Sequence, residues 1–231
     1  MELDLAGFPD NGVYLLFPEG RRIAITRERI KEFAQTFEAN LDKIPAHIRS
    51  AADFQACPVC PEKGRARFCH ALPATLAFIE DLDGFKSYDT VSAVYRGPSP
   101  WLACAPHTTM QDALQFVAAL SLMYHCEVGK KYWRFFLGMH PLQSPEELST
   151  RIYLNIYWDC QGDQQKVDQV IQSFAEEIAC TCECQVKRLR LVCKTDVLMN
   201  AFVNVQGQIA YLAMRRGAQL AQSFEEFLKR G

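Results

Sequence analysis

The chain has 231 residues, nearly half of them hydrophobic and about a quarter charged, the composition of a globular protein rather than a disordered one. Lys plus Arg number 25 against 27 Asp plus Glu, a formal charge of −2. That balance gives no general drive toward nucleic acid or anionic lipid. The Met1–Gly7 stretch lacks a basic region followed by an apolar core, and no apolar run is long enough to span a bilayer, so the expected location is the cytoplasm.

In chain order, Val13 to Phe17 reads as a short strand, Pro18-Glu19-Gly20 as a turn and Arg21 to Ile25 as a returning strand. Thr26 is placed to cap a helix from Arg27, whose apolar face is Ile30, Phe33, Ala34, Phe37 and Leu41. Pro45 marks its end. Residues 46–74 are interrupted by Pro58, Pro61, Gly64 and Pro73 and read as an ordered loop. A short helix is expected over Pro73 to Leu82. Val91, Ala93 and Tyr95 alternate as in a strand over Asp89 to Arg96.

Gly97-Pro98-Ser99-Pro100 is the clearest punctuation. It divides an N-terminal α+β region, 1–96, from a mainly helical region, 101–231, unless the two form one continuous domain. Thr108 and Gln111 make a capping-box pair before a helix through Leu120 and Met123. Ser144, Pro145 and Glu147 signal another helix start. Val167, Val170, Ile171, Phe174, Ala175 and Ile178 form a helical stripe. Cys180 to Cys193 alternates and reads as the clearest strand, bent near Lys187 and Arg188. A helix from Val197 to Val205 and a short amphipathic one from Ser223 complete the chain. The expected fold class is α+β, small strand elements packed with several amphipathic helices, because regular strand–helix alternation is missing.

Ten cysteines stand at 57, 60, 69, 104, 126, 160, 180, 182, 184 and 193. In a reducing compartment they are metal ligands, reactive thiols or small core residues rather than disulfides. The strongest constellation is Cys57-Pro58-Val59-Cys60-Pro61 followed by Cys69-His70. Three thiolates and an imidazole suit structural zinc, the leading cofactor expectation. Cys69 and His70 are adjacent, so the chain must turn for both to converge. A more conservative set is Cys57, Cys60 and Cys69 with a distant fourth donor from Cys104, His107, His125 or Cys126. An iron–sulfur cluster ranks below zinc, since the spacing departs from the compact ferredoxin run. Cys57 and Cys60 also form a possible redox pair, with Lys63, Arg65 and Arg67 nearby to favour thiolate. The pair lacks the strand-then-helix context of a thioredoxin-like site.

Cys180, Cys182 and Cys184, on a strand, would be spread along a sheet and read as core. The acidic run Glu80, Asp81, Asp83 and Asp89 reads as a solvated turn. The basic clusters Lys130, Lys131, Arg134 and Lys187, Arg188, Arg190, Lys194 read as solvated faces. Tyr132-Trp133-Arg134-Phe135-Phe136 is either core or a partner surface built on Tyr132, Trp133, Arg134 and Phe136. No P-loop, dinucleotide glycine fingerprint, H-E-x-x-H helix or nucleophile elbow is present. The expectation is a metal-stabilised cytosolic binding or regulatory protein. The alternatives are a thiol-dependent oxidoreductase or metalloenzyme, and a subunit of a homo-oligomer.

Overall fold

The computed structural model describes residues 7–53, 57–97, 102–139, 141 and 143–214. Among these residues the fold is α+β: a four-stranded antiparallel sheet and seven helices. The sheet comprises β1 (Gly12–Leu16), β2 (Arg22–Thr26), β3 (Thr90–Arg96) and β4 (Leu102–Thr109), in the order β2-β1-β3-β4. Gly20 closes the β1–β2 turn at φ +83, a left-handed conformation that costs glycine little. Gly12 allows the strands to approach closely, since a Cβ there would lie 2.4 Å from the Ile25 carbonyl oxygen.

Alternation sorts the sheet into two faces. Val13, Leu15, Ile23, Ile25, Val91 and Ala93 face the helices and join the main core. Tyr14 and Val94 face the other way with Phe8. The Tyr14 hydroxyl donates to the Asp10 carbonyl at 2.7 Å, and the Arg22 guanidinium lies 4.4 Å from the centre of the Tyr14 ring.

Helix α1 (Arg27–Ala39) starts where the sequence predicts, with the Thr26 side chain accepting from the Arg29 N–H at 3.2 Å. The stretch after Pro45 is more regular than expected, because Ala46–Asp53 forms α2. Helix α3 (Ala71–Leu76) and a 3-10 turn at Ile79–Leu82 occupy the next predicted helix. Phe37 of α1, Ala51 and Ala52 of α2, and Leu72 and Leu76 of α3 form a small second core. This core supports the cysteine loop that runs between α2 and α3.

β4 is obscured in the sequence by Pro106 and weak alternation. It pairs with β3 across the expected boundary, whose residues 98–100 lie outside the described ones. Between Val91 and Ala93 the register slips, so that Pro106 and His107 stand opposite Ser92 alone. The Ser92 hydroxyl donates to the Pro106 carbonyl at 2.6 Å across this bulge. Helix α4 (Met110–His125) is capped one residue later than expected, by Thr109 rather than Thr108. Helix α5 (Pro145–Asp159) carries the predicted capping box between Ser144 and Glu147.

The main correction concerns residues 180–193. No strand forms there: α6 runs without a break over Gln164–Leu189. The stripe Val167, Ile171, Phe174, Ile178 continues as Cys182, Gln185 and Leu189 at helical spacing, all buried. Cys184, Val186 and Arg188 are buried as well. This half of α6 is covered on more than one side, by α7 (Val197–Met214) and by α2 and its loop. Burial on more than one side, with Glu183 and Lys187 left exposed, blurs a helical stripe into apparent alternation. α7 also runs beyond its expected end, continuing through Gly207. The short helix expected from Ser223 lies outside the described residues.

The basic residues of both clusters are exposed as expected, apart from Arg188, and four of them sit in ion pairs. Lys130 pairs with Glu127, Lys131 with Glu177, Arg134 with Asp159 and Lys194 with Asp83. Arg188, expected on a solvated face, is 2% exposed and donates to the Ala51 carbonyl at 3.0 Å. Among the acidic residues of the 80–89 turn, Asp81 pairs with Arg29, and Asp89 accepts from the Lys86 N–H.

Candidate metal centre

Cys57 opens the loop, with its sulfur turned onto α6. Its Sγ lies 3.7 Å from the Cys180 Sγ, and the Cys57, Cys180 and Cys184 sulfurs all lie within 4.8 Å of one another. Helical geometry explains the pair on α6: residues four apart stand one above the other on the same face. Cys182 lies about 200° around the helix from Cys180 and is fully buried in the main core instead. Three sulfurs at this separation are close enough to hold one metal ion. Sulfurs placed tetrahedrally at ~2.3 Å from a zinc ion would be about 3.8 Å apart.

The surroundings suit bound sulfur. The Val59 N–H donates to the Cys57 sulfur, and the Cys60 N–H donates to the Cys57 carbonyl at 2.9 Å, closing a tight turn. Burial pushes the Cys57 thiol far up, and the neighbouring Cys184 and Cys180 add to the rise. Burial raises Cys184 as well. Without a cation these groups hold their protons; a bound cation reverses that preference.

The sequence grouped Cys57, Cys60, Cys69 and His70 as one ligand set, and the structure brings only Cys57 into the three-sulfur group. Cys60, Cys69 and His70 instead line a cavity of about 560 Å³, together with Cys57, His125 and Cys126. The Cys69 sulfur accepts from Gln185 Nε2 at 3.2 Å. The His70 ring stacks on Phe68 at 5.2 Å. Gln185 is 2% exposed, and its Oε1 has no hydrogen-bond partner.

His125 and Cys126 arrive from the far side, at the C-terminal end of α4. The Cys126 sulfur accepts from the Val128 and Gly129 N–H groups. Gly129 is required by that turn, because a Cβ would lie 2.1 Å from the Leu122 carbonyl oxygen. Burial pushes the Cys126 thiol up to about 11, with nearby Cys69 and Cys60 contributing. Burial first, then Lys130, Arg27 and His70, holds the His125 imidazole below its usual range and so favours its neutral form.

His125 and Cys126, expected as distant donors for Cys57, Cys60 and Cys69, line the same cavity as these three. The sequence does not single out Cys180 and Cys184 as neighbours of Cys57. Their i, i+4 spacing was the available signal, hidden once the segment read as a strand. Cys104 is exposed on β4 and stands outside the three-sulfur group.

The aromatic segment divides. Phe136 is 7% exposed and packs on Phe174, so it belongs to the core rather than to a surface. Tyr132 is half-buried against the same ring, while Trp133 and Arg134 are exposed. Trp158 of α5 is exposed as well, and Arg134 reaches its neighbour Asp159 at 3.0 Å. No helix among the described residues is long and apolar enough to cross a membrane.

No protein family, curated protein or solved structure matches the chain.

Proposed function

We propose that the chain is a metal-stabilised cytosolic binding protein. In this reading a zinc ion on Cys57, Cys180 and Cys184 pins the cysteine loop to α6, and the cavity walled by that loop is the binding site. The convergence of three sulfurs from segments distant in sequence carries the reading. All ten cysteines are free, including Cys57 and Cys180 at 3.7 Å, which fits a reducing compartment. Thiolate with a borderline-soft divalent cation is the donor chemistry of zinc sites.

A metalloenzyme is the second reading. Three protein ligands leave a tetrahedral ion one open position, the pattern of catalytic zinc, and Cys57 also lines the cavity. A redox role for Cys57 and Cys60 is less well supported. Cys57 points to α6, and its raised thiol is the opposite of an activated nucleophile.

The test is native mass spectrometry of protein purified under reducing, metal-free conditions. One retained zinc per chain is expected, lost in Cys180→Ser and Cys184→Ser and kept in Cys160→Ser. Zinc retained at full occupancy in both α6 variants would overturn the reading.

A further inference from the structure

We propose that the cavity beside the three-sulfur group is a second centre, one that takes an iron–sulfur cluster on Cys60, Cys69 and Cys126, with His70 and His125 lining the same cavity. The site is independent of a zinc on Cys57, Cys180 and Cys184.

Three observations carry it. First, these five donors come from two separate segments, the loop before α3 and the end of α4, and line one cavity of about 560 Å³. Second, their spacing is wrong for a single ion. Sulfurs held at ~2.3 Å by one zinc ion lie no farther apart than about 4.6 Å. No three of the cavity donors lie mutually within 4.8 Å, whereas Cys57, Cys180 and Cys184 do. A cluster relaxes that demand, because each iron takes its own protein ligand and inorganic sulfide fills the space between. Third, the sulfurs are already provided with N–H donors. Cys126 accepts from Val128 and Gly129, and Cys69 accepts from Gln185. Hydrogen bonds to cluster sulfurs stabilise thiolate ligation and tune the potential.

Charge and polarity agree. A cluster held by three thiolates is anionic, and Lys63 and Arg67 of the same loop line the cavity. Glu62 and Glu127 also line it and partly offset that charge. The buried Gln185 Oε1 is an acceptor without a donor at the cavity wall, and such a group calls for a polar occupant.

The experiment is anaerobic reconstitution of the full chain with equal parts of ferric and ferrous iron plus sulfide, so that two ferric, two ferrous and four sulfide ions balance to the oxidised cluster, followed by removal of unbound iron. About four irons and about four sulfides per chain are expected, with a broad visible charge-transfer band that bleaches on reduction by dithionite. Cys126→Ser and Cys69→Ser should lose the band. Cys180→Ser should keep it while losing zinc, so failure of the cluster and failure of the zinc reading are separable. Cys182→Ser, a buried cysteine on the opposite side of α6, controls for destabilisation, and thermal melts establish that each variant is folded. His70→Ala and His125→Ala should perturb the reduced cluster's electron paramagnetic resonance signal without abolishing the band. Wild-type protein that binds iron without stoichiometric sulfide, or a band surviving in Cys126→Ser, would sink the proposal. So would loss of the band in Cys57→Ser with retention in Cys126→Ser, which would place the ligands elsewhere.

Discussion

The Cys57 and Cys180 sulfurs lie 3.7 Å apart although 123 residues separate them in sequence. This contact ties the loop before α3 to the middle of α6, and it leaves two thiols one small movement from a bond. A disulfide needs the sulfurs at ~2.05 Å. In metal-free protein, mild oxidation by a diazene should join Cys57 to Cys180, with the two thiol hydrogens passing to the oxidant. Zinc-loaded protein should resist, because its sulfurs are already engaged. Peptide mapping under non-reducing conditions distinguishes these outcomes, and a Cys57–Cys60 bond as the main product would contradict the geometry.

Arg188 is the largest fully buried side chain among the described residues, and it holds the Ala51 carbonyl of α2. Arg188→Ala removes that bond and leaves a void beside the second core. The expected cost is about 3 kcal/mol, read as a lower urea midpoint. Arg188→Met fills much of the volume and should recover part of the loss. An Ala variant as stable as wild type would show that α2 docks without this contact.

The Ser144 side chain accepts from the Glu147 N–H at 3.2 Å, and the Glu147 carboxylate accepts from the Ser144 N–H at 2.8 Å. Ser144→Ala should cost about 1 kcal/mol, and Ser144→Asp should leave stability nearly unchanged. Chemical denaturation of the three proteins checks this.

Burial, then the neighbouring Glu177, pushes the Tyr132 hydroxyl up to about 12. A group whose folded pKa is raised contributes stability that is complete below its unfolded pKa and is lost as pH rises through the folded one. The unfolded value is about 10, so the Tyr132 contribution should drain away between pH about 10 and about 12. Tyr132→Phe should flatten the fall in stability over that window. Identical alkaline slopes for the two proteins would rule the effect out.

The sequence carried the local decisions well. Thr26 and Ser144 act on their own backbone neighbourhoods, and helix starts depend on little else. Val91, Ala93 and Tyr95 alternate because the sheet has one face against the helices. Errors arose where tertiary contact overrides local pattern. Cys182 faces the core while Cys184 faces the loop, so α6 is apolar on opposite sides and imitates a strand. Reading the segment as a strand also separates Cys180 from Cys184, which share one face only on a helix. Cys57, by contrast, was legible from its place in the C-x-x-C turn, and Cys126 as a distant donor. Which sulfurs each one meets depends on how α4 and α6 pack, and no local pattern encodes that.

The bulge on β4 bears on how the protein behaves in company. An edge strand offers unpaired amides to any other strand, and so invites fibrils and stacked aggregates. Among the described residues β4 is an edge strand; Pro106 has no amide N–H to offer a neighbour, and the two-against-one bulge opposite Ser92 adds local twist. The β4 edge is therefore a poor seed for strand addition, so crowding at high concentration should not extend the sheet from this side.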